Sequence, residues 1–234
     1  MNTFQIIAHR GMFNNPTIPE NSLAAFRKAL DFSYPIELDV QLTKDNVLIV
    51  FHDDNLKRIT GVDKLVKDCT YSEIKKLFLF DTKEHIPTFQ EVINLIGEKV
   101  FLDIEIKPTK RIVDTCSILM NTLSSYSNYS LKSFHPSIVR YLKKHYPNVI
   151  VGYLISSNYS KRYYNWILSK KFLIQYTKAD FISISKKLLY KKRLHRLSLP
   201  QPMQVWTIKS SEELKNPKYV YICNNLPYFT KKQK

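Results

Sequence analysis

Residues 36–53 read IELDVQLTKDNVLIVFHD, and their pattern determines which fold the chain can adopt. Apolar and polar residues alternate over residues 36–42, and a second apolar run covers residues 47–51, so both runs are predicted to be β-strands. Only a short turn around residues 44–46 separates them, and a connection this short cannot cross over between parallel strands. The two strands are therefore predicted to form an antiparallel hairpin.

Seven further strand-like runs lie on either side of this hairpin, at residues 4–8, 100–106, 131–134, 149–155, 180–184, 204–208 and 219–223. Helical patterns separate most of them, at residues 22–32, 88–96, 112–123, 136–145, 159–169 and 186–197, with a short turn at 211–214. This alternation is typical of a parallel α/β sheet. Once the returning arm of the hairpin is set aside, eight runs remain, which predicts a TIM (β/α)8 barrel.

The predicted barrel occupies one domain, residues 1–234, and carries two additions after its second strand. One is the β-hairpin. The other is residues 53–87, which lack a clear period and are interpreted as a small insertion over one end of the barrel. Asn21, just before the first predicted helix, is expected to accept a hydrogen bond from an unpaired amide at the start of that helix.

Composition excludes several other classes of protein. Hydrophobic residues make up 44% of the chain, which argues against long disorder, and no apolar run is long enough for a membrane span or a signal peptide. Three widely spaced cysteines indicate neither a disulfide framework nor a zinc site. The expected location is therefore the cytoplasm. The net charge of +16 is uneven, because residues 1–107 carry −3 and residues 108–234 carry +19.

Charged and histidine side chains collect at four strand ends: His9 with Arg10, Glu37 with Asp39, His52 with Asp53, and Asp103 with Glu105 and Lys107. Residues two apart on a strand share a face, so each set points to one side. A hairpin turn centred at residues 44–45 places position 37 opposite position 52. Glu37, Asp39 and His52 are therefore expected to converge, whereas Asp103 is interpreted either as support or as a simple ion pair.

Three of these side chains form a hard-oxygen ligand set. Carboxylates without partner cysteines suit a divalent cation such as Mg²⁺ or Ca²⁺. Glu37, Asp39 and Glu105 are accordingly predicted to be metal ligands.

The remaining side chains suit an anionic substrate and proton transfer. Arg10 and Lys107 offer positive charge to a phosphate group. His9 and His52 can act as a general acid and a general base near neutral pH. A metal, an anion clamp and an acid/base pair together describe the cleavage of a phosphate ester.

The motifs resemble those of the glycerophosphodiester phosphodiesterase family, and they run in family order from one end of the chain to the other. They are HRG at 9–11, PENS at 19–22, ELDVQLTKD at 37–45, FHD at 51–53, IPT at 86–88, EIK at 105–107, SF at 133–134 and WTI at 206–208. The last predicted strand departs from the family pattern, because residues 218–227 lack its glycines and aspartates. This departure concerns the shape of the substrate pocket.

The resemblance implies a TIM barrel that uses a divalent cation to hydrolyse glycerophosphodiesters to glycerol 3-phosphate and an alcohol. It also implies the following roles: His9 and His52 as the acid/base pair, Glu37, Asp39 and Glu105 as metal ligands, Arg10 and Lys107 as phosphate contacts, and Glu20 as a supporting carboxylate. Trp206 is expected to line the pocket near the substrate's glycerol, with a place in the barrel core as the alternative.

Two alternative functions remain at this point. The first is a lysophospholipase D, which has the same chemistry but needs an apolar channel for an acyl chain. The second is a non-catalytic basic module for membranes or nucleic acid, which predicts the loss of a catalytic residue, and none is lost. No nucleic-acid-binding motif is present. The basic run at residues 185–197 is interpreted as a solvated helix face or as a weak contact with an anionic membrane surface.

Overall fold

The computed structural model describes residues 5–156, 171–189, 203–224 and 226. The chain forms two compact units. The first, called here the N-terminal unit, runs from Ala8 to Tyr129. The second, the C-terminal unit, begins at Ser130 and includes the segment that ends at Ile7.

The N-terminal unit contains the last two residues of β1 (Gln5–His9) and the strands β2 (Ile36–Leu42), β3 (Leu48–Val50) and β4 (Leu102–Ile106). Strand β2 pairs in parallel with β1 and with β4, and it pairs with β3 in the predicted antiparallel hairpin. The register between β2 and β4 places Glu37 beside Asp103 and Asp39 beside Glu105. Carboxylates from two neighbouring strands therefore share one face of the sheet.

The pairing register of the hairpin differs by one residue from the expectation. Val40 pairs with Val50 and Leu42 with Leu48, so the turn is centred on Asp45 and Glu37 does not lie opposite His52. Two contacts close the turn: the Thr43 amide donates to the Val47 carbonyl, and the Val47 amide donates to Thr43 Oγ1, each at 3.0 Å. Asn46 adopts a φ of 67°, which asparagine tolerates better than most residues, and this permits the longer loop.

Five helices complete the N-terminal unit: α1 (Leu23–Asp31), α2 (Lys57–Thr60), α3 (Tyr71–Ile74), α4 (Phe89–Ile96) and α5 (Ile112–Thr122). A 3₁₀ turn at Val66–Asp68 lies between α2 and α3. The expectation that Asn21 caps α1 is wrong. The cap is Ser22, whose side chain accepts from the Ala25 amide at 3.1 Å, and Asn21 turns its side chain to another partner.

The insertion at residues 53–87 is packed, although its sequence lacks a period. Its short helices bury Leu56, Ile59, Val66 and Ile74 in a cluster that also includes Phe51 at the end of the hairpin. Short helices of four residues cannot show a helical period in sequence, so packing determines their positions. The insertion therefore packs against Phe51, the residue directly before His52.

The C-terminal unit contains β5 (Tyr129–Ser133), β6 (Val151–Ile155), β7 (Phe181–Ser185), β8 (Met203–Ile208) and β9 (Val220–Cys223). These strands pair in parallel in chain order. All nine strands predicted from the sequence are thus confirmed. The helices are α6 (Pro136–His145), α7 (Lys171–Thr177) and α8 (Lys186–Leu189), with a 3₁₀ turn at Ser211–Glu213.

Helix α7 was not predicted, and the predicted helix at residues 159–169 lies outside the described residues. The same holds for the basic run beyond Leu189, so contact with an anionic membrane stays a prediction. Lys186, near the start of the predicted basic run at residues 185–197, makes an ion pair within the chain. Its Nζ lies 2.6 Å from Glu213 Oε1. In the part of the chain described here, no helix combines the length and apolar character needed to cross a bilayer.

Gly11 offers a test of how tightly the His9–Gly11 loop packs on α1. Its φ is +78°, and a Cβ atom at this position would lie 2.9 Å from the backbone of Ala25. Gly61 has the same φ but nothing within 4 Å of a Cβ atom. Gly61→Ala is expected to lower the free energy of unfolding by about 1–2 kcal/mol through backbone strain alone. Gly11→Ala is expected to cost about 1–3 kcal/mol more, because the helix must shift.

Urea denaturation of both variants measures this difference. Equal losses in the two variants would show that the loop does not press on α1.

Candidate active site

Three buried carboxylates form the centre of the candidate site. Glu37 and Asp39 lie on β2 and Glu105 lies on β4, and each is at most 7% exposed. One oxygen from each side chain lies within 4.8 Å of the others. Oxygen ligands of one cation at 2.0–2.6 Å are separated by at most about twice that distance. The donor set therefore fits a single hard divalent cation, as the sequence predicted.

Arg10 and Lys107 bring positive charge to this cluster. Lys107 Nζ lies 3.0 Å from Glu105 Oε1 and 3.6 Å from Asp39 Oδ1, while Arg10 Nε lies 3.4 Å from Asp39 Oδ2. Burial alone would raise the pKa of Asp39, but the charges of Lys107 and Arg10 outweigh it and hold that pKa well below its usual range. Burial opposes the charge of Lys107 in turn, yet Glu105 and Asp39 raise its pKa. Asp39 therefore stays ionised and Lys107 stays protonated.

Asn21, which the sequence predicted to cap helix α1, belongs instead to this site. Its side-chain amide donates to Asp39 Oδ2 at 2.9 Å, and its backbone amide donates to the Arg10 carbonyl at 3.1 Å. The residue is buried and has a φ of 57°, a conformation that asparagine adopts more readily than most residues. Asn21 thus fixes the orientation of one candidate ligand.

His9 lies at the end of β1, next to the carboxylates. His9 Nε2 is 3.9 Å from Glu37 Oε2, and the same oxygen accepts the backbone amide of Arg10 at 3.1 Å. The pairing of His9 with Glu37 in the parallel register of β1 and β2 explains this contact. The structure therefore brings one predicted acid/base residue to the predicted metal ligands.

His52 directly follows the last backbone contact of the hairpin, in which the Phe51 amide donates to the Asp39 carbonyl at 3.0 Å. Strand β3 ends at Val50, and Gln41 then holds the chain, because its side-chain amide donates to the carbonyls of Phe51 and Asp53 at 2.9 Å each. His52 is close enough to Asp39 that its charge helps to lower the pKa of that carboxyl. On its other side, His52 Nδ1 lies 2.6 Å from Asp53 Oδ1. The predicted register is wrong, and the convergence of His52 with Glu37 stays a prediction.

Glu20, the predicted supporting carboxylate, bridges two arginines. Glu20 Oε1 accepts from Arg10 at 2.5 Å and from Arg58 at 2.7 Å, and Asn15 donates to Glu20 Oε2 at 2.6 Å. Burial would raise the pKa of Glu20, but the hydrogen bond and charge of Arg58 and the charge of Arg10 lower it to about 2. Arg58 and Asn15 were missed because neither stands in a recognisable motif.

Trp206 belongs to the C-terminal unit, where its ring meets Phe134 edge-on at 5.7 Å. Polar side chains lie next to it on β7 and β8. Ser183 is in register with Gln204, and Ser185 is in register with Trp206. Each of these four side chains has a buried polar atom without a hydrogen-bond partner among the described residues. Buried polar groups in proteins usually have a hydrogen-bond partner, so this face is suited to water or to a ligand with hydroxyl groups.

Comparison with known proteins agrees with the motifs. A sequence model of the glycerophosphoryl diester phosphodiesterase family matches residues 9–218. A glycerophosphodiester phosphodiesterase of Caldanaerobacter subterraneus is 42% identical over 163 residues, which cover 64% of this chain and 65% of that protein. One from Bacillus altitudinis is 43% identical over 112 residues, covering 44% and 45%. The chain therefore spans less than two thirds of the length of these curated relatives.

Solved structures extend the similarity to nearly the whole chain. A phosphodiesterase from Oleispira antarctica, solved with the product sn-glycerol-3-phosphate, aligns with a TM-score of 0.78 at 23% identity and covers 97% of this chain and 95% of that one. A glycerophosphodiester phosphodiesterase from Thermotoga maritima gives a TM-score of 0.73 at 22% identity, with 99% of both chains covered. These similarities confirm the predicted TIM (β/α)8 barrel.

The lowered pKa of Glu20 predicts a pH-dependent contribution to stability. A carboxyl whose pKa is lower in the folded state stabilises the fold above its ordinary pKa of 4.5, and this stabilisation is lost as the pH falls toward about 2. Glu20→Gln is expected to reduce the free energy of unfolding at pH 6 by up to about 3 kcal/mol. At pH 3 the deficit should be clearly smaller.

Urea denaturation at several pH values between 6 and 3 measures the deficit. Glu212→Gln, which alters an exposed carboxylate outside the site, serves as the control and should follow the wild-type curve. A Glu20→Gln deficit that stays constant over this range would contradict the assignment.

Proposed function

Since this chain belongs to the glycerophosphoryl diester phosphodiesterase family, we propose that it hydrolyses glycerophosphodiesters to glycerol 3-phosphate and an alcohol. The observation that carries the proposal is the buried carboxylate set Glu37, Asp39 and Glu105, with Arg10 and Lys107 in contact with it. The arrangement combines hard oxygen ligands with fixed positive charge. A phosphodiester needs both, because its cleavage increases negative charge on the phosphate oxygens.

Glu37, Asp39 and Glu105 would hold the divalent cation, Mg²⁺ or Ca²⁺. When bound, the cation supplies positive charge that polarises the phosphate. Arg10 and Lys107 would contact other phosphate oxygens, since both already lie beside the ligands and both stay protonated. Asn21 keeps the Asp39 carboxylate in one orientation through its hydrogen bond.

His9 and His52 are assigned the proton transfers. One histidine removes a proton from the nucleophile, which is either water or a glycerol hydroxyl of the substrate. The nucleophile's oxygen bonds to phosphorus while the phosphorus–oxygen bond to the alcohol breaks, and the other histidine gives a proton to the departing oxygen. Where the nucleophile is a glycerol hydroxyl, the product is a cyclic phosphate, which water then opens to glycerol 3-phosphate. His52 Nδ1 is held by Asp53, so Nε2 is the nitrogen left for this transfer. We assign His52 as the acid and His9 as the base.

We propose small glycerophosphodiesters as the substrates, and the family match carries this choice. Trp206 stays the residue proposed to lie near the substrate's glycerol. The lysophospholipase D activity stays the alternative.

A substrate panel with metal control tests this function. Glycerophosphocholine, glycerophosphoethanolamine and lysophosphatidylcholine are assayed after chelation and after addition of Mg²⁺ or Ca²⁺. Chelation is expected to abolish the release of glycerol 3-phosphate, because it removes the cation from the carboxylates. One of the two ions should restore it. Full turnover in excess chelator, or turnover of the lysophospholipid alone, would overturn the proposal.

The two histidines are tested by separate substitutions. His9→Ala and His52→Ala are each expected to lower kcat by about 10²–10⁴ while the fold is retained, because each removes one proton transfer. His145→Ala, which alters an exposed histidine at the end of α6, is the control and should retain wild-type kcat. A histidine whose alanine variant keeps near-normal kcat has no part in the mechanism.

A further inference from the structure

Arg58 lies in the insertion, on the short helix α2, and its guanidinium group contacts two carboxylates at once. Nε donates to Asp53 Oδ2 at 2.5 Å and Nη2 to Asp53 Oδ1 at 3.1 Å, a two-point contact with one carboxylate. The same guanidinium donates to Glu20 Oε1 at 2.7 Å and to Glu20 Oε2 at 3.2 Å. Arg58 therefore contacts both Glu20, which is 38 positions away in sequence, and Asp53, which is 5 positions away.

Each of these carboxylates in turn contacts a residue assigned to the reaction. Asp53 Oδ1 lies 2.6 Å from His52 Nδ1, and Glu20 Oε1 accepts from Arg10 at 2.5 Å. The result is a continuous chain of five charged or titratable side chains, which runs from His52 through Asp53, Arg58 and Glu20 to Arg10. Its two ends are the proposed proton donor and a proposed phosphate contact.

We propose that Arg58 is a positioning residue that fixes His52 and Arg10 relative to each other, an inference that rests on the proposed function of those two residues. Arg58 itself touches no reacting atom. Its role is to prevent rotation of the Asp53 and Glu20 carboxylates, and through them to hold the imidazole and the guanidinium in one arrangement.

The chemistry of the side chain explains why an arginine stands here. A guanidinium is a rigid planar fork with five donors, so it can engage two carboxylates in fixed directions, whereas an ammonium is a single charged point. The backbone of Arg58 is also held, because the neighbouring Ile59 is buried in the cluster beneath the insertion. The fork is therefore attached to a rigid base, although the side chain itself is 46% exposed.

Lys57 provides a matched comparison on the same helix. It makes an ion pair with Asp63 at 2.7 Å, and both side chains are more than 60% exposed. Lys57→Gln thus removes one positive charge and one surface ion pair from α2 without touching the chain that joins His52 to Arg10. Such exposed pairs contribute little to stability.

The test compares Arg58→Gln, Arg58→Lys and Lys57→Gln in the full chain. Arg58→Gln is expected to lower kcat/KM on glycerophosphocholine by about 10- to 100-fold, the range typical of residues that orient an active site. Arg58→Lys keeps the charge but not the fork, so it should recover less than half of the loss on a logarithmic scale. Lys57→Gln should match the wild type, and thermal unfolding shows that all three variants are folded.

A spectroscopic measurement separates positioning from general loss of structure. The ¹⁵N chemical shifts of the His52 ring report which nitrogen carries the proton, and Arg58→Gln should move them while those of His145 stay fixed. In the Asp53→Asn background, the effect of Arg58→Gln on kcat/KM should shrink, because the link to His52 is already cut.

Three results would overturn the inference: wild-type kcat/KM in folded Arg58→Gln, full recovery in Arg58→Lys, or unchanged His52 shifts. If the wild type does not hydrolyse glycerophosphodiesters, the proposed function fails. The His52 shifts then still decide whether Arg58 positions this ring.

Discussion

Three carboxylates buried within 4.8 Å of one another repel, and the architecture of the N-terminal unit depends on how that repulsion is offset. At this separation each pair of charges costs about 3 kcal/mol even at an effective dielectric constant of 20. That is a large share of the 5–15 kcal/mol by which a domain is usually stable. Arg10 and Lys107 supply part of the compensation, and Asn21 supplies a hydrogen bond to Asp39. A bound divalent cation accounts for the remainder in the function proposed here.

The loops around the cluster are shaped by the same requirement. Arg10, Gly11 and Asn21 all have positive φ values, which ordinary residues avoid. Through these conformations the amide of Arg10 reaches Glu37, and the Asn21 amide group reaches Asp39. Unfavourable backbone conformations of this kind persist where the surrounding structure holds them, and they concentrate at functional sites. Close packing of Gly11 against Ala25 provides that hold.

The sequence predicts the site well where chemistry follows strand period, and poorly where it follows tertiary contacts. Two-residue spacing was sufficient to place Glu37 and Asp39 on one face of β2, because the side-chain period of a strand is fixed. The parallel pairing of β2 with β4 then brings Glu105 beside Asp39. The predicted hairpin register is wrong by one residue, because Asn46 adopts a positive φ that its sequence allows but does not require. Asn21 was assigned to the wrong hydrogen bond, since a cap and a ligand-orienting amide look alike in sequence. Arg58 was missed because it stands in no recognised motif and one of its two partners, Glu20, is 38 positions away in the chain.

The central claim is that Glu37, Asp39 and Glu105 together bind one divalent cation. Crystals grown with Mn²⁺, a hard cation with similar oxygen preferences to Mg²⁺ and a strong anomalous signal, test it most directly. One anomalous peak is expected in coordinating contact with an oxygen of each of the three carboxylates, and it should be lost in Asp39→Asn. The absence of a peak at the triad, or an unchanged peak in Asp39→Asn, would contradict it.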